Sequence, residues 1–283
     1  MNYPTISLND WQQVGAGGNG ATYINPAEPD VLLKVSRLGD GTEEAMNKEF
    51  HTSQAVQRLG IPTPEMKKLV KVGEDYGIIS ELIKGKQSLG RMTHEAPERI
   101  DELARHMAQM ARQLHATAVK DTTYLPSMKA LMLEALENTT MVGGKKLREL
   151  KAFVSGLEDA PTLLHGDLQP GNVIMAGGRS YWIDLGRACH GIPMFDLGHF
   201  YLFCNIFSKK QRVQDIAHMT DKQMVQFWHT FAGAYHGEAD MAAFEAECKR
   251  FAALDVVLLG HIQTLNWHER LFLGLLAKAL FKE

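Results

Sequence analysis

The chain has 283 residues, 45% of them hydrophobic and 22% charged, and a formal net charge of −3 at pH 7. That composition excludes wholesale disorder and gives no strong electrostatic pull on nucleic acid or an anionic membrane. Three cysteines without CxxC spacing, Cys189, Cys204 and Cys248, suit a reducing compartment, and Met1–Asp10 lacks a basic stretch leading into an apolar one. The longest apolar runs, such as Leu254–Ile262, are broken by Asp255 and His261 and are too short to span a bilayer. The expectation is a soluble cytoplasmic protein with no membrane and no nucleic-acid partner.

In chain order, the first feature is Gly15-Ala16-Gly17-Gly18-Asn19-Gly20, followed by the extended-looking Ala21-Thr22-Tyr23-Ile24. Pro26–Asp30 is turn-rich, and Val31–Val35 is a compact apolar strand with Lys34 in its middle. A helix is predicted from Thr42 to Leu59, closed by Gly60, Pro62 and Pro64. Leu69–Val72 and Tyr76–Ser80 flank Gly73-Glu74-Asp75 and read as a hairpin. After Gly85 the texture turns helical: Ile100, Leu103, Met107, Met110 and Leu114 form an amphipathic stripe. A further helix is predicted over Ser127–Glu137, and several more from Lys222 onward. A small hairpin interrupts them where Val173-Ile174-Met175 and Tyr181-Trp182-Ile183 frame Gly177-Gly178. The class is α+β: a small, mainly antiparallel β lobe with one helix, residues 1–83, and a larger helical lobe, 84–283, with a short hinge near Leu82–Gln87.

Four separated features carry chemistry. The G-x-G-x-x-G of Gly15, Gly17 and Gly20 lets backbone N–H groups approach phosphate oxygens. A dinucleotide-binding unit would need a helix straight after it, and a strand follows instead. No GxxxxGK[ST] is present. Lys34, flanked by apolar neighbours, is either an edge-strand lysine reaching solvent or an ammonium that must find an anion; the second reading has it hold the α- and β-phosphates of a nucleotide, held in turn by a helix carboxylate, Glu49 or alternatively Glu44. In His165-Gly166-Asp167-Leu168-Gln169-Pro170-Gly171-Asn172, a carboxylate and a carboxamide sit at the ends of a tight loop. Asp167 suits the orientation and deprotonation of an attacking hydroxyl, and Asn172 suits an oxygen ligand to Mg²⁺. Asp184, in Ile183-Asp184-Leu185-Gly186, supplies a second hard-oxygen ligand.

In series, these motifs resemble the protein-kinase-like fold, and the H-G-D form resembles its small-molecule branch. That branch is the aminoglycoside phosphotransferase and choline kinase superfamily, with fructosamine, homoserine and methylthioribose kinases as relatives. The resemblance implies a bilobal fold, Asp167 as catalytic base, Asn172 and Asp184 on Mg²⁺, and Lys34 with Glu49 as the phosphate-positioning pair. It also implies that the backbone of Glu81 and Ile83 meets the adenine, and that Asp196, in Phe195-Asp196-Leu197-Gly198, buttresses the catalytic loop without doing chemistry. Gln169 stands where many of these enzymes have histidine, and Leu185 replaces the phenylalanine of D-F-G.

Asp184 and Asp196 are twelve positions apart. That leaves no room for the long activation loop of a protein kinase, so the acceptor site is expected on the later helices. Arg187 and His190 are candidates for touching an anion on the acceptor, with a plain loop role as the alternative. The remaining histidines make no H-x₃-H or HExxH set, and aromatics such as Trp228, Tyr235 and Trp267 are core or acceptor wall. The reading is transfer of the γ-phosphoryl of ATP, with GTP as the alternative, to a hydroxyl of a sugar, amino alcohol or aminoglycoside-type antibiotic. The competing reading is a silent pseudokinase that binds a nucleotide or a partner.

Overall fold

The structure is a computed structural model that describes residues 3–17, 20–36, 43–237 and 240–281. The chain divides into two compact units, residues 1–87 with 173–187, and residues 88–172 with 188–283.

The first unit is built on β1 (Gln12–Gly17), β2 (Gly20–Asn25), β3 (Glu28–Ser36), β4 (Met66–Val72) and β5 (Asp75–Glu81), with α1 (Glu43–Arg58) inserted after β3. The sheet is antiparallel in the order β1-β2-β3-β5-β4. Alternation along β3 sends Val31, Leu33 and Val35 to one face, where they share a core with Val70, Val72 and Ile79. Lys34 therefore projects to the other face, in register with Ile78 of β5. On that face Met46 and Phe50, one turn apart on α1, pack against Leu69 and Ile78. The pleat thus turns the lone lysine of an apolar strand toward a helix. Thr42, the expected start of α1, lies outside the described residues.

Gly20 has a sheet-packing reason to be glycine: at φ +154° a Cβ would run into the Val35 carbonyl. The hairpin of Val173–Ala176 and Arg179–Trp182 turns through Gly177 and Gly178, both at positive φ as a two-residue turn of this hand requires. It is tied into this unit by the Trp182 N–H, which donates to the Pro62 carbonyl at 2.9 Å.

The second unit holds α2 (Leu89–Glu95), α3 (Ile100–His115), α4 (Met128–Asn138), α5 (Gly144–Gly156), α6 (Met194–Tyr201), α7 (Gln211–Ala217), α8 (Asp221–His236), α9 (Met241–Ile262) and α10 (Trp267–Leu280). The α3 stripe read from the sequence is buried, and α3 packs on α8. Phe200, Trp228 and Phe231 meet in edge-on and stacked contacts at the centre. α6 crosses α9 at Gly198, where a Cβ would collide with the backbone of Phe251 and Ala252. α6 then runs into a π-helical turn, Leu202–Ile206. A short antiparallel pair, Leu163–Leu164 with Cys189–His190, frames the loop that begins at His165. No helix of the described residues is long and apolar enough to cross a membrane.

Candidate active site

In the first unit the Lys34 ammonium sits between two carboxylates, donating to Glu49 Oε1 at 2.7 Å and to Asp184 Oδ1 at 3.2 Å. Burial alone pulls the Lys34 pKa down, but the charges of Asp184 and Glu49 outweigh it, so the group is held well above its ordinary value and stays charged. Glu44, the alternative partner, is exposed on the first turn of α1. Asp184 reaches Lys34 from a residue at φ +56°, a left-handed conformation that Asp tolerates better than most side chains. Gly186 lets that turn lie against α1, since a Cβ would stand 3.1 Å from Glu49 Cγ.

Of the glycine motif, Gly15 pairs with Thr22 and Gly17 with Gly20 across β1 and β2, so strand–loop–strand is the observed local structure. Gly18 and Asn19 lie outside the described residues. Glu81 ends β5, with its N–H donating to the Glu65 carbonyl at 2.8 Å, and Ile83 is buried.

In the second unit Asp196 organises the loop that begins at His165. Its carboxylate accepts the N–H groups of His165 at 2.7 Å and Gly166 at 2.9 Å, and its Oδ2 lies 3.0 Å from His115 Nε2. Full burial would raise the Asp196 pKa, yet His115 and the loop donors overcome it and hold it below the usual carboxylate value. Gly166 turns at φ +76°, which explains the glycine of H-G-D. Asn172 Nδ2 donates to the Asp167 carbonyl at 2.8 Å and to Asp167 Oδ2 at 3.1 Å. Gln169 braces the same loop, accepting the Gly171 N–H at 2.7 Å.

Sequence reasoning missed two residues. His199 Nε2 lies 3.0 Å from Asp167 Oδ1, and its Nδ1 lies 2.9 Å from Asp255 Oδ2. Burial alone would depress the His199 pKa, but Asp255 and Asp167 push it up to about 10. The available signal was the position of His199, one helical turn after Asp196; Asp255 gave none. The structure places the residues considered for an acceptor wall as follows. His190 is buried with Nδ1 on the Leu125 carbonyl at 2.7 Å, and Trp228 is fully buried core, while Trp267 is 65% exposed.

Each unit carries an oxygen donor of the kind Mg²⁺ takes. Asp184 offers carboxylate oxygen, and Asn172, with its nitrogen engaged by Asp167, offers amide oxygen. Mg²⁺ is commonly held by one or two such protein groups together with phosphates and water. Among the described residues no group of three or more His, Cys, Asp or Glu could hold a metal ion.

Comparison with known proteins finds phosphotransferases and small-molecule kinases. The profile described as "phosphotransferase enzyme family" matches residues 10–228. A methylthioribose kinase of Bacillus pumilus is 38% identical over 88 residues, covering 30% of this chain and 21% of that protein; the match thus spans about a fifth of the relative's length. Among solved structures, a thermostable mutant of aminoglycoside phosphotransferase APH(4)-Ia superposes with a TM-score of 0.65 at 14% identity, covering 96% of this chain and 94% of that one. Such a mutant, solved as a ternary complex with ADP and hygromycin B, gives a TM-score of 0.60. A choline/ethanolamine kinase family protein of Mesorhizobium loti gives 0.54 at 14% identity, covering 96% and 88%.

Proposed function

The chain belongs to the phosphotransferase enzyme family, and from that premise we propose that it is a cytoplasmic kinase moving the γ-phosphoryl of ATP, or of GTP, to a hydroxyl of a small molecule. One observation carries the reading: Asp167 is fixed at both carboxylate oxygens, by His199 at 3.0 Å and Asn172 at 3.1 Å, while its side chain stays about a third exposed. A carboxylate so held can orient a hydroxyl and take its proton.

In the proposed reaction the acceptor oxygen bonds to the γ-phosphorus. The bond to the β-phosphate oxygen breaks, its electron pair stays on the leaving diphosphate, and the hydroxyl proton goes to Asp167. Lys34 holds the α- and β-phosphates as a compact point charge, with Glu49 steadying it from behind. Asn172 and Asp184 are the residues that would hold Mg²⁺, which when bound neutralises charge developing on the phosphate oxygens. Gly15, Gly17 and Gly20 are assigned to the phosphates, and the backbone of Glu81 and Ile83 to the purine. The domain division proposed from these roles is a nucleotide-binding lobe of 1–83 and a catalytic and acceptor lobe of 84–283.

The test is ADP release from Mg·ATP and GDP release from Mg·GTP across methylthioribose, hygromycin B, other aminoglycosides, choline, ethanolamine and simple sugars. Methylthioribose heads the panel because of the Bacillus relative. Turnover with at least one hydroxyl compound supports the proposal. A thermal shift on adding nucleotide, with no product from any acceptor, supports a silent nucleotide-binding module instead.

A further inference from the structure

We propose that His199 is a positioning residue: an imidazolium, held from behind by Asp255, that fixes the Asp167 carboxylate and offsets its charge. The inference rests on the reading of Asp167 as the group that orients the acceptor hydroxyl.

The geometry links three side chains in series, Asp167 Oδ1 to His199 Nε2 at 3.0 Å and His199 Nδ1 to Asp255 Oδ2 at 2.9 Å. An ionised carboxylate only accepts hydrogen bonds, and a neutral imidazole has one N–H to give. Two carboxylates on the two ring nitrogens therefore call for both nitrogens to be protonated. The ring is buried and Asp255 is 6% exposed, so neither exchanges these partners for water. The cation leaves the trio with one net negative charge instead of two.

The fold builds this chain deliberately. His199 follows Gly198, the only residue type that lets α6 approach the α9 backbone at Phe251 and Ala252. Asp255 stands one helical turn beyond Phe251, which brings its carboxylate level with the ring. On the far side, Asn172 Nδ2 takes Asp167 Oδ2 at 3.1 Å. With a donor on each oxygen, rotation of the Asp167 carboxylate is arrested, and the remaining lone pairs have fixed directions. Phosphoryl transfer through a loose transition state asks more for position than for basicity. A base shared with an imidazolium is suited to that task.

The test uses the full chain with ¹⁵N-labelled histidine and three substitutions, His199→Ala, His199→Gln and Asp255→Asn. NMR of the parent protein should show one histidine with both ring N–H protons protected and shifted downfield. That pair should vanish in His199→Gln and fall to a single N–H in Asp255→Asn. ADP release from Mg·ATP, with water alone and with the acceptor panel, should drop roughly 10²-fold in kcat for His199→Ala. The nucleotide Kd should stay within about twofold, and His199→Gln, which keeps one donor, should recover part of the loss. If His199→Ala does not fold, Asp255→Asn carries the test through its lost N–H and a kcat lowered about tenfold.

Absence of a doubly protonated histidine, its persistence in Asp255→Asn, or a His199→Ala kcat equal to the parent's would each overturn the inference. Asp167→Ala serves as the reference. If it is inactive while His199→Ala is fully active, only the role of His199 fails. If Asp167→Ala is itself active, the assignment of Asp167 fails first.

Discussion

Replacing Glu49 by Gln isolates the ion pair that holds Lys34, because the amide keeps the shape and loses the charge. At 2.7 Å and an effective dielectric of about 20, the Lys34–Glu49 attraction is about 6 kcal/mol before desolvation offsets it. The two side chains are 30% and 23% exposed, between an open surface pair and a buried one. Asp184 remains at 3.2 Å, so the ammonium is not stranded. The net loss of stability should therefore be ~1–2 kcal/mol, a drop of a few degrees in Tm. Without Glu49 the ammonium is drawn to Asp184 alone and leaves the position from which it is proposed to hold the phosphates. Affinity for Mg·ATP should weaken about tenfold, equivalent to ~1.4 kcal/mol. Thermal melting and titration calorimetry read the two effects separately. Glu44→Gln, on the exposed first turn of the same helix, should do neither. Unchanged melting and nucleotide titration in Glu49→Gln, or equal effects from the two substitutions, would refute the reasoning.

Gly198→Ala should cost about 3 kcal/mol or more, because the new methyl meets α9 backbone and no side chain can yield; a near-native melting curve would contradict the close helix crossing. Asp196→Asn removes a buried charge that three donors address and should cost ~3–5 kcal/mol, read by chemical denaturation. Since the folded Asp196 pKa is depressed, its contribution is present above the unfolded carboxylate pKa of ~3.9 and is lost as pH falls through the lower folded value. For His199 the sign is opposite: its folded pKa is raised to about 10, so its contribution is full below the unfolded pKa of ~6.5 and declines as pH rises toward the folded value. The stability difference between the parent and His199→Gln should thus be larger at pH 6 than near pH 10, and a difference that grows with pH would contradict the assignment.

The parts of this structure that were legible in the sequence are those where one local pattern decides the outcome. Lys34 stood out as a charge in the alternation of β3, and the pleat alone turns it to the face that α1 covers. The α3 stripe gave its helix because one face is buried and the other is wet. α6 shows no such stripe, since Phe195 through Tyr201 are all buried and hydrophobic periodicity vanishes when every face is covered. α5 buries only Leu150 and Val154, too few to announce a helix. In the loop that begins at His165, Asp167 and Asn172 are five residues apart and their juxtaposition follows from a tight turn. His199 and Asp255 are 56 residues apart on different helices, and they meet only because Gly198 lets those helices close. No local rule carries that information. The left-handed backbone of Asp184, at φ +56°, was equally hidden, because no local residue pattern calls for a positive φ at an aspartate there.

Asp167 is proposed to act on the acceptor and not on nucleotide binding. Single-turnover ADP release from Mg·ATP in the presence of a reactive acceptor, compared between the parent protein and Asp167→Ala, tests this directly. A fall of about 10²–10⁴-fold in rate with an unchanged nucleotide Kd is the predicted result. A rate near the parent's, or a loss explained wholly by weaker nucleotide binding, would contradict it.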